Sequence, residues 1–146
     1  MRGQLSLHIR PIEDGDRDAV VSLWSACNLV VPWNDPESDI ALCRSKPANA
    51  VLLVGVLGGR IVASVMVGHD GHRGWLYYLA CDPQHRGRGF GGAMVAAAED
   101  WLAAQGMPKV HLLVRETNTA VQGFYERLGY ARSPVTMMQK WLKTSS

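Results

Sequence analysis

The stretch "HRGRGFGG", residues 85–92, sets four glycines among two arginines, a combination suited to holding an anion. It lies between the strand-like run "GWLYYLACD" and an alanine-rich run that stops at Gly106. Where a strand gives way to a helix, the first helical N–H groups are unpaired and point into the connection, along with the positive end of the helix dipole. Glycines at 87, 89, 91 and 92 remove side chains that would keep a phosphate from the backbone, and Arg86 and Arg88 add charge. A turn with only a backbone problem to solve needs fewer glycines and no arginines.

Other phosphate motifs fit less well. Gly87, Gly89 and Gly92 satisfy the dinucleotide pattern G-x-G-x-x-G. That fingerprint follows its strand directly and opens a fold with several βα units to come. Here Asp82, Pro83, Gln84, His85 and Arg86 intervene, the chain ends 54 residues after Gly92 at Ser146, and Glu116 stands beyond the spacing of a ribose-binding acid. No Gly-Lys-Ser/Thr follows, which excludes a P-loop. The Arg-Gly run is too short, and too poor in aromatics beyond Phe90, for an RNA contact. Cys27, Cys43 and Cys81 are odd in number and lack C-x-x-C spacing, so free thiols are predicted rather than a disulfide framework or a zinc site. No His or Asp stands near Cys81 in a triad arrangement, and it reads as a packed strand thiol rather than an acyl-carrying nucleophile.

The elements that must position the loop alternate in type. "LSLHIRP" reads as a first strand, and Asp14 or Asp16 as the cap of a helix through Cys27 with Val20, Leu23, Trp24 and Cys27 on one face. Asp35 and Pro36 open a second helix. "AVLLVGVL" and "RIVASVMVGH", joined by Gly58-Gly59, predict a hairpin, and "GWLYYLACD" extends it to an antiparallel meander of strands two to four. After the loop, Phe90, Met94, Ala97, Ala98, Trp101 and Leu102 recur at helical spacing, and "KVHLLVRE" becomes a fifth strand, parallel to the fourth. Asn118 caps a last helix carrying Val121, Phe124, Tyr125 and Leu128 and stopped by Gly129, and Thr136 to Lys143 reads as a final strand. The expected fold class is α/β, with a central mixed sheet of six to seven strands, a βαβ unit at its centre and about four flanking helices.

Length and composition agree with this outline. A chain of 146 residues fits one domain spanning 1–146, and 47% apolar with 19% charged residues is ordinary for a globular protein. A formal charge of +2 with scattered basic residues demands neither a nucleic-acid nor a membrane partner. No apolar run approaches the roughly 20 residues of a membrane span, and "MRGQLSLHIRP" lacks a signal-peptide core, so a cytoplasmic location is expected.

These residues resemble a known family. Arg86-Gly87-Arg88-Gly89-Phe90-Gly91 matches the Arg/Gln-x-x-Gly-x-Gly/Ala pyrophosphate loop of the GNAT superfamily of acyl-CoA-dependent N-acetyltransferases. "LACDPQHRGRGFGG" is similar to its fourth strand, Asp-Pro turn and coenzyme A loop. "NTAVQGFYERLGY" resembles its Asn-x-x-Ala-x-x-x-Tyr helix, with Val121 where alanine is usual. The segments "VPWNDPESDI" and "GHDGHRG" further resemble small bacterial members of the YpeA type.

The resemblance implies acetyl-CoA as cosubstrate, with no metal, and an amine-bearing small molecule or peptide as acceptor. It implies pyrophosphate contacts from Arg86, Gly87, Arg88, Gly89, Phe90 and Gly91, and backbone contacts to the pantetheine arm from Leu79, Ala80 and Cys81. Asn118 would touch the cofactor while capping its helix, and Tyr125 would assist the leaving thiolate as the catalytic residue. The glutamates that many members carry on strands four and five as general base are absent: strand four offers Trp75, Leu76, Tyr77 and Tyr78, and the corresponding fifth-strand position is Leu113. Glu116, His69, Asp70 and His72 are the substitutes to weigh, with Trp33, Asn34 and Asp35 as candidates for the acceptor mouth. Asp35, Glu37, Asp39 and Asp70 could attract a cationic acceptor. A homodimer is a family-level expectation. The missing glutamates also leave open an acyl-CoA-binding sensor without transfer activity.

Overall fold

In the computed structural model, residues 6–143 are described, and they form two compact units that divide between Leu113 and Val114. The first unit holds β1 (His8–Pro11), α1 (Arg17–Ala26), α2 (Pro36–Arg44), β2 (Ala50–Leu57), β3 (Arg60–His69), β4 (Gly74–Cys81), α3 (Phe90–Ala104) and β5 (Val110–His111). Its single sheet runs in the order β1-β2-β3-β4-β5, antiparallel from β1 to β4, with β5 parallel to β4 through the α3 crossover. The mixed α/β sheet with a βαβ unit is the one the sequence predicts, but among the described residues that unit lies at the β5 end of the sheet and not at its centre.

The turns behave as their residues dictate. Gly58 and Gly59 both take positive φ in the β2–β3 hairpin. Asp35 caps α2 by accepting from the Glu37 N–H at 3.1 Å, with Pro36 in the first turn. The cap expected before α1 is different. Asp16 sits at the N-cap position, but its carboxylate turns to the Arg10 guanidinium at 2.6 Å and to the Glu13 N–H at 2.8 Å, and the residues Asp14–Asp16 form a short 3₁₀ turn.

Side chains alternate across the sheet and divide the core into two layers. On one face, α1 and α2 bury Val20, Leu23, Trp24, Ile40 and Cys43 against Leu52, Val54 and Ala80. Each large apolar side chain withdrawn from water here contributes about 1.5–3 kcal/mol. On the other face α3 approaches so closely that a Cβ on Gly74 would lie 2.5 Å from Leu102 Cδ1. That contact requires a glycine at 74.

The second unit contains α4 (Thr119–Arg127), capped by Asn118 through a 3.2 Å bond from the Val121 N–H and closed by Gly129 at φ 95°. Tyr125 is the buried residue of this helix, 8% exposed, whereas Val121 and Leu128 are exposed. Its edge meets the rings of Phe124 and Tyr130 at centroid distances of 5.0 and 5.4 Å.

Three expectations are corrected. Five strands form among the described residues, not six or seven. The segment Thr136 to Lys143 is not a strand: its Met138 and Leu142 are about nine-tenths exposed, and a strand-like pattern without a pairing edge makes no ladder. The fifth strand, expected over "KVHLLVRE", pairs with β4 only at Val110 and His111. The first strand is His8–Pro11; Leu5, where its predicted run began, lies outside the described residues.

Candidate functional site

β4 carries a discontinuity. Tyr77 is paired with Met66 and Ala80 with Ser64, so Tyr78 and Leu79 together face the single residue Val65. This is a β-bulge, one extra residue in the strand. Hydrogen-bond direction shows what it does. The Gly74 N–H donates to Lys109 O, toward β5, while the Asp82 N–H donates to Val62 O, toward β3. Both are even-numbered residues, and in a regular strand residues two apart face the same neighbour. The bulge has shifted the alternation by one. Ala80 therefore faces β3, and Leu79 and Cys81 turn their N–H groups to the other edge, where β5 no longer pairs. Cys81 O on that edge accepts from Arg86 Nε at 3.2 Å and from Cys27 Sγ at 3.3 Å.

The bulge is held from several sides. Tyr78 has φ 53°, a left-handed conformation that costs an L-residue about 1–2 kcal/mol. Its carbonyl accepts from Ser64 Oγ at 2.8 Å, and Ser64 Oγ in turn accepts from Trp24 Nε1 at 2.8 Å, both Ser64 and Trp24 being fully buried. The Tyr78 and Trp24 rings stack at 3.7 Å with 8° between planes. The Tyr78 hydroxyl donates to Asp39 Oδ2 on α2 at 2.6 Å. Burial, then the Asp39 bond, push the Tyr78 hydroxyl's pKa far up. None of this was read from the sequence, in which "LYYLA" is a regular strand; the doubled tyrosine is its one unusual mark.

Beyond β4 the chain makes a 3₁₀ turn over Pro83–His85, capped by Asp82, which accepts from the Gln84 N–H at 2.9 Å. Gly87 and Gly89 then take φ 81° and 80°. A Cβ at either would meet open space, so these glycines are needed for their backbone angle and not for tight packing. Gly89 is the N-cap of α3 and no side chain caps the helix; the first intrahelical bond is from the Ala93 N–H to Gly89 O at 3.0 Å. The N–H groups of Phe90, Gly91 and Gly92 are thus first-turn donors at the positive end of a 15-residue helix. Arg88 is exposed beside them, whereas Arg86 folds back, its guanidinium on Cys81 O and 3.7 Å from Cys27 Sγ.

The structure thus brings Leu79, Ala80 and Cys81 into one continuous stretch with residues 86–91. Cys81 is no activated nucleophile: desolvation raises its pKa, and its thiol makes only weak contacts to Asp82 O and His85 O. Among the described residues Cys27, Cys43 and Cys81 are free thiols, no metal-binding cluster forms and no helix is long and apolar enough to cross a membrane. In the second unit, burial pushes the Tyr125 hydroxyl up to about 12.

The substitute bases are occupied otherwise. Asp70 accepts from the N–H groups of His72 and Arg73 at 2.8 and 2.7 Å, and these bonds hold its pKa down. His69 Nδ1 accepts from the Gly71 N–H at 3.1 Å, and its Nε2 lies 3.2 Å from Ala48 O. Both act as turn residues. His72 and Glu116 are exposed, as are Trp33 and Asn34, and Asp35 serves as the α2 cap.

A bulged strand open at one edge, running into an uncapped, glycine-rich helix start, agrees with what comparison of the whole chain shows. Residues 17–130 match the model of the Acetyltransferase (GNAT) family, and the chain belongs to that family. It is 48% identical over 124 residues to an acetyltransferase of Pectobacterium atrosepticum, covering 85% of this chain and 87% of that one. It is 44% identical over 136 residues to an acetyltransferase of Yersinia pestis, covering 93% and 96%. Among solved structures, the glucosamine-6-phosphate N-acetyltransferase of Arabidopsis thaliana superposes with a TM-score of 0.73 at 22% identity, over 94% of this chain and 99% of that one. An aminoglycoside N-acetyltransferase solved with CoA superposes at 0.78 and 13% identity, over 98% and 99%. The protein is an acyltransferase enzyme with the GNAT fold.

Proposed function

We propose that the chain transfers an acetyl group from acetyl-CoA to a primary amine by direct attack within a ternary complex. One observation carries this reading: the N–H groups that the bulge turns to the open edge of β4 stand on the same segment as the uncapped start of α3, joined to it by the Pro83–His85 turn and the glycine loop. A pantetheine arm needs the first and a pyrophosphate the second. The donor set fits, since an amide-bearing chain pairs with strand backbone and a dianion with first-turn N–H groups.

In this reading Leu79 and Cys81 hold the arm through their backbone, with Ala80 buried between them. Gly87, Gly89, Phe90 and Gly91 offer N–H groups to the pyrophosphate. Arg88 adds charge directly, and Arg86 closes the loop onto Cys81 O. Asn118 caps α4 and contacts the cofactor. The thioester supplies an activated acyl carbon, and the Leu79 N–H stabilises charge on its oxygen as the amine adds. Tyr125 donates a hydrogen bond to the departing sulfur. With the hydroxyl at about 12 and a thiol near 8.5, full proton transfer would be uphill by about 5 kcal/mol, so the hydrogen bond, not the transfer, is the contribution. Deprotonation of the incoming ammonium falls to water. The chain acts as one domain over 1–146, in the cytoplasm, as a monomer or homodimer.

Calorimetric titration with acetyl-CoA tests the reading, alongside an Arg86→Ala, Arg88→Ala variant. Saturable micromolar binding that weakens at least tenfold in the variant is expected, and no binding would overturn the assignment. A panel of primary amines then reads thiol release. Tight binding with no release from any amine would leave a sensor. In Tyr125→Phe, turnover should fall about tenfold or more with little change in acetyl-CoA affinity.

A further inference from the structure

Tyr78 occupies a conformation that its own chemistry disfavours, at the one place where β4 departs from regular pairing. Strain of this kind persists only where surrounding structure imposes it, and it concentrates at working sites. The surroundings here are unusually complete. Backbone, ring and hydroxyl of the same residue are each gripped by a different partner: Ser64 on the carbonyl, Trp24 on the ring, Asp39 on the hydroxyl. Ser64 is the only buried polar side chain among the described residues, and it is spent on this carbonyl. Ser64 also takes the buried Trp24 indole N–H, so an apolar residue at 64 would leave both that donor and the Tyr78 carbonyl without this partner.

We propose that Tyr78 is a positioning residue: braced by Ser64, Trp24 and Asp39, it fixes the bulge that aims the Leu79 N–H at the carbonyl oxygen of the bound thioester. The proposal rests on the acetyl-transfer reading. It follows from connectivity, because the carbonyl that Ser64 holds belongs to the same peptide group as the Leu79 N–H. Peptide groups are planar, so fixing that oxygen fixes the direction of the hydrogen on the other side. The Asp39 bond extends the brace to α2, so that a shift of this helix would re-aim the same peptide. Tyr78 touches no reacting atom in this scheme and acts through its neighbour's N–H.

The test uses the full-length protein with acetyl-CoA carrying a ¹³C-labelled acetyl carbonyl. The carbonyl stretch of the bound thioester is read by infrared difference spectroscopy, together with Kd by calorimetry and kcat with an amine found in the screen. In the wild type a donor on the oxygen lowers the stretching frequency. Ser64→Ala is expected to return the frequency toward its free value and lower kcat at least tenfold, with Kd within about threefold. Tyr78→Phe keeps the ring stack and the carbonyl bond and loses Asp39; a smaller change of the same sign, about threefold in kcat, is expected. Should Ser64→Ala not fold, Tyr78→Phe carries the test alone. Variants that bind acetyl-CoA with wild-type frequency and wild-type kcat, however much their melting temperature falls, would overturn the proposal and leave a packing role. A wild type that binds no acetyl-CoA would instead overturn the reading on which it rests.

Discussion

From Gly74 to Tyr77, β4 lies in register with β3, and at Gly74 and Trp75 with β5 as well; from Tyr78 to Cys81 it has β3 alone. The first half is close-packed, with Gly74 pressed on Leu102. The second half gives up one edge of pairing and takes on a strained residue. An unpaired strand edge is ordinarily a liability. Here it runs from Leu76 to Cys81, toward the glycine loop, so the half that stabilises and the half proposed to hold the cosubstrate meet within eight residues.

Four outcomes would break or sharpen that contrast. The largest is expected from proline in the paired half: Trp75→Pro removes a ladder N–H facing Gly68 and should lower stability by about 3 kcal/mol or more in urea denaturation. Near-normal stability would mean that this half is not locked. Next, Gly74→Ala should lose about 1–3 kcal/mol by overpacking on Leu102, and the same change should cost less when made in a Leu102→Ala background, where the added methyl has room. In the open half the same proline chemistry should spare the fold and affect the ligand instead. Cys81→Pro is expected to bind acetyl-CoA about tenfold more weakly than Cys81→Ala, which keeps the N–H, a difference near 1.4 kcal/mol. Equal affinities would remove Cys81 from the binding edge. The smallest effect concerns the turn that feeds the paired half. The folded-state pKa of Asp70 is lowered by the backbone bonds of Arg73 and His72, so its stabilisation is complete above its unfolded value, about 3.9, and is lost as pH falls below it. Asp70→Asn should therefore flatten the acid limb of the stability profile, with a small loss of stability near pH 7 that disappears as pH falls through the acid range.

The parts legible in the sequence are those fixed by residues near one another along the chain. Asp35 with Pro36, Asn118, Gly58-Gly59 and Gly129 each specify a cap, turn or stop within four residues, and each forms as read. The glycine loop was legible for the same reason: Gly87 and Gly89 supply backbone angles that few other residues accept. The bulge was not, because what makes it is distant. Trp24 and Ser64 are 40 residues apart, Asp39 and Tyr78 are 39 apart, and no local pattern requires Tyr78 to turn left-handed. The last strand failed in the converse way. The run from Thr136 to Lys143, with Met138 and Leu142, suggests a strand, but a ladder needs a neighbour that local pattern does not guarantee.

The shift in β4 also affects which layer each side chain enters. Gly74 meets α3, while Ala80, six residues on and of the same parity, lies in the α1–α2 core. Chain length across this strand is therefore as strictly determined as composition. Deleting one residue between Tyr77 and Ala80 would restore regular pairing but exchange inner and outer faces for everything downstream, sending Ala80's successors into the wrong layer and the glycine loop to the wrong side of the sheet. Substitutions in this segment can be graded by size and polarity, whereas a single-codon insertion or deletion offers no mild version.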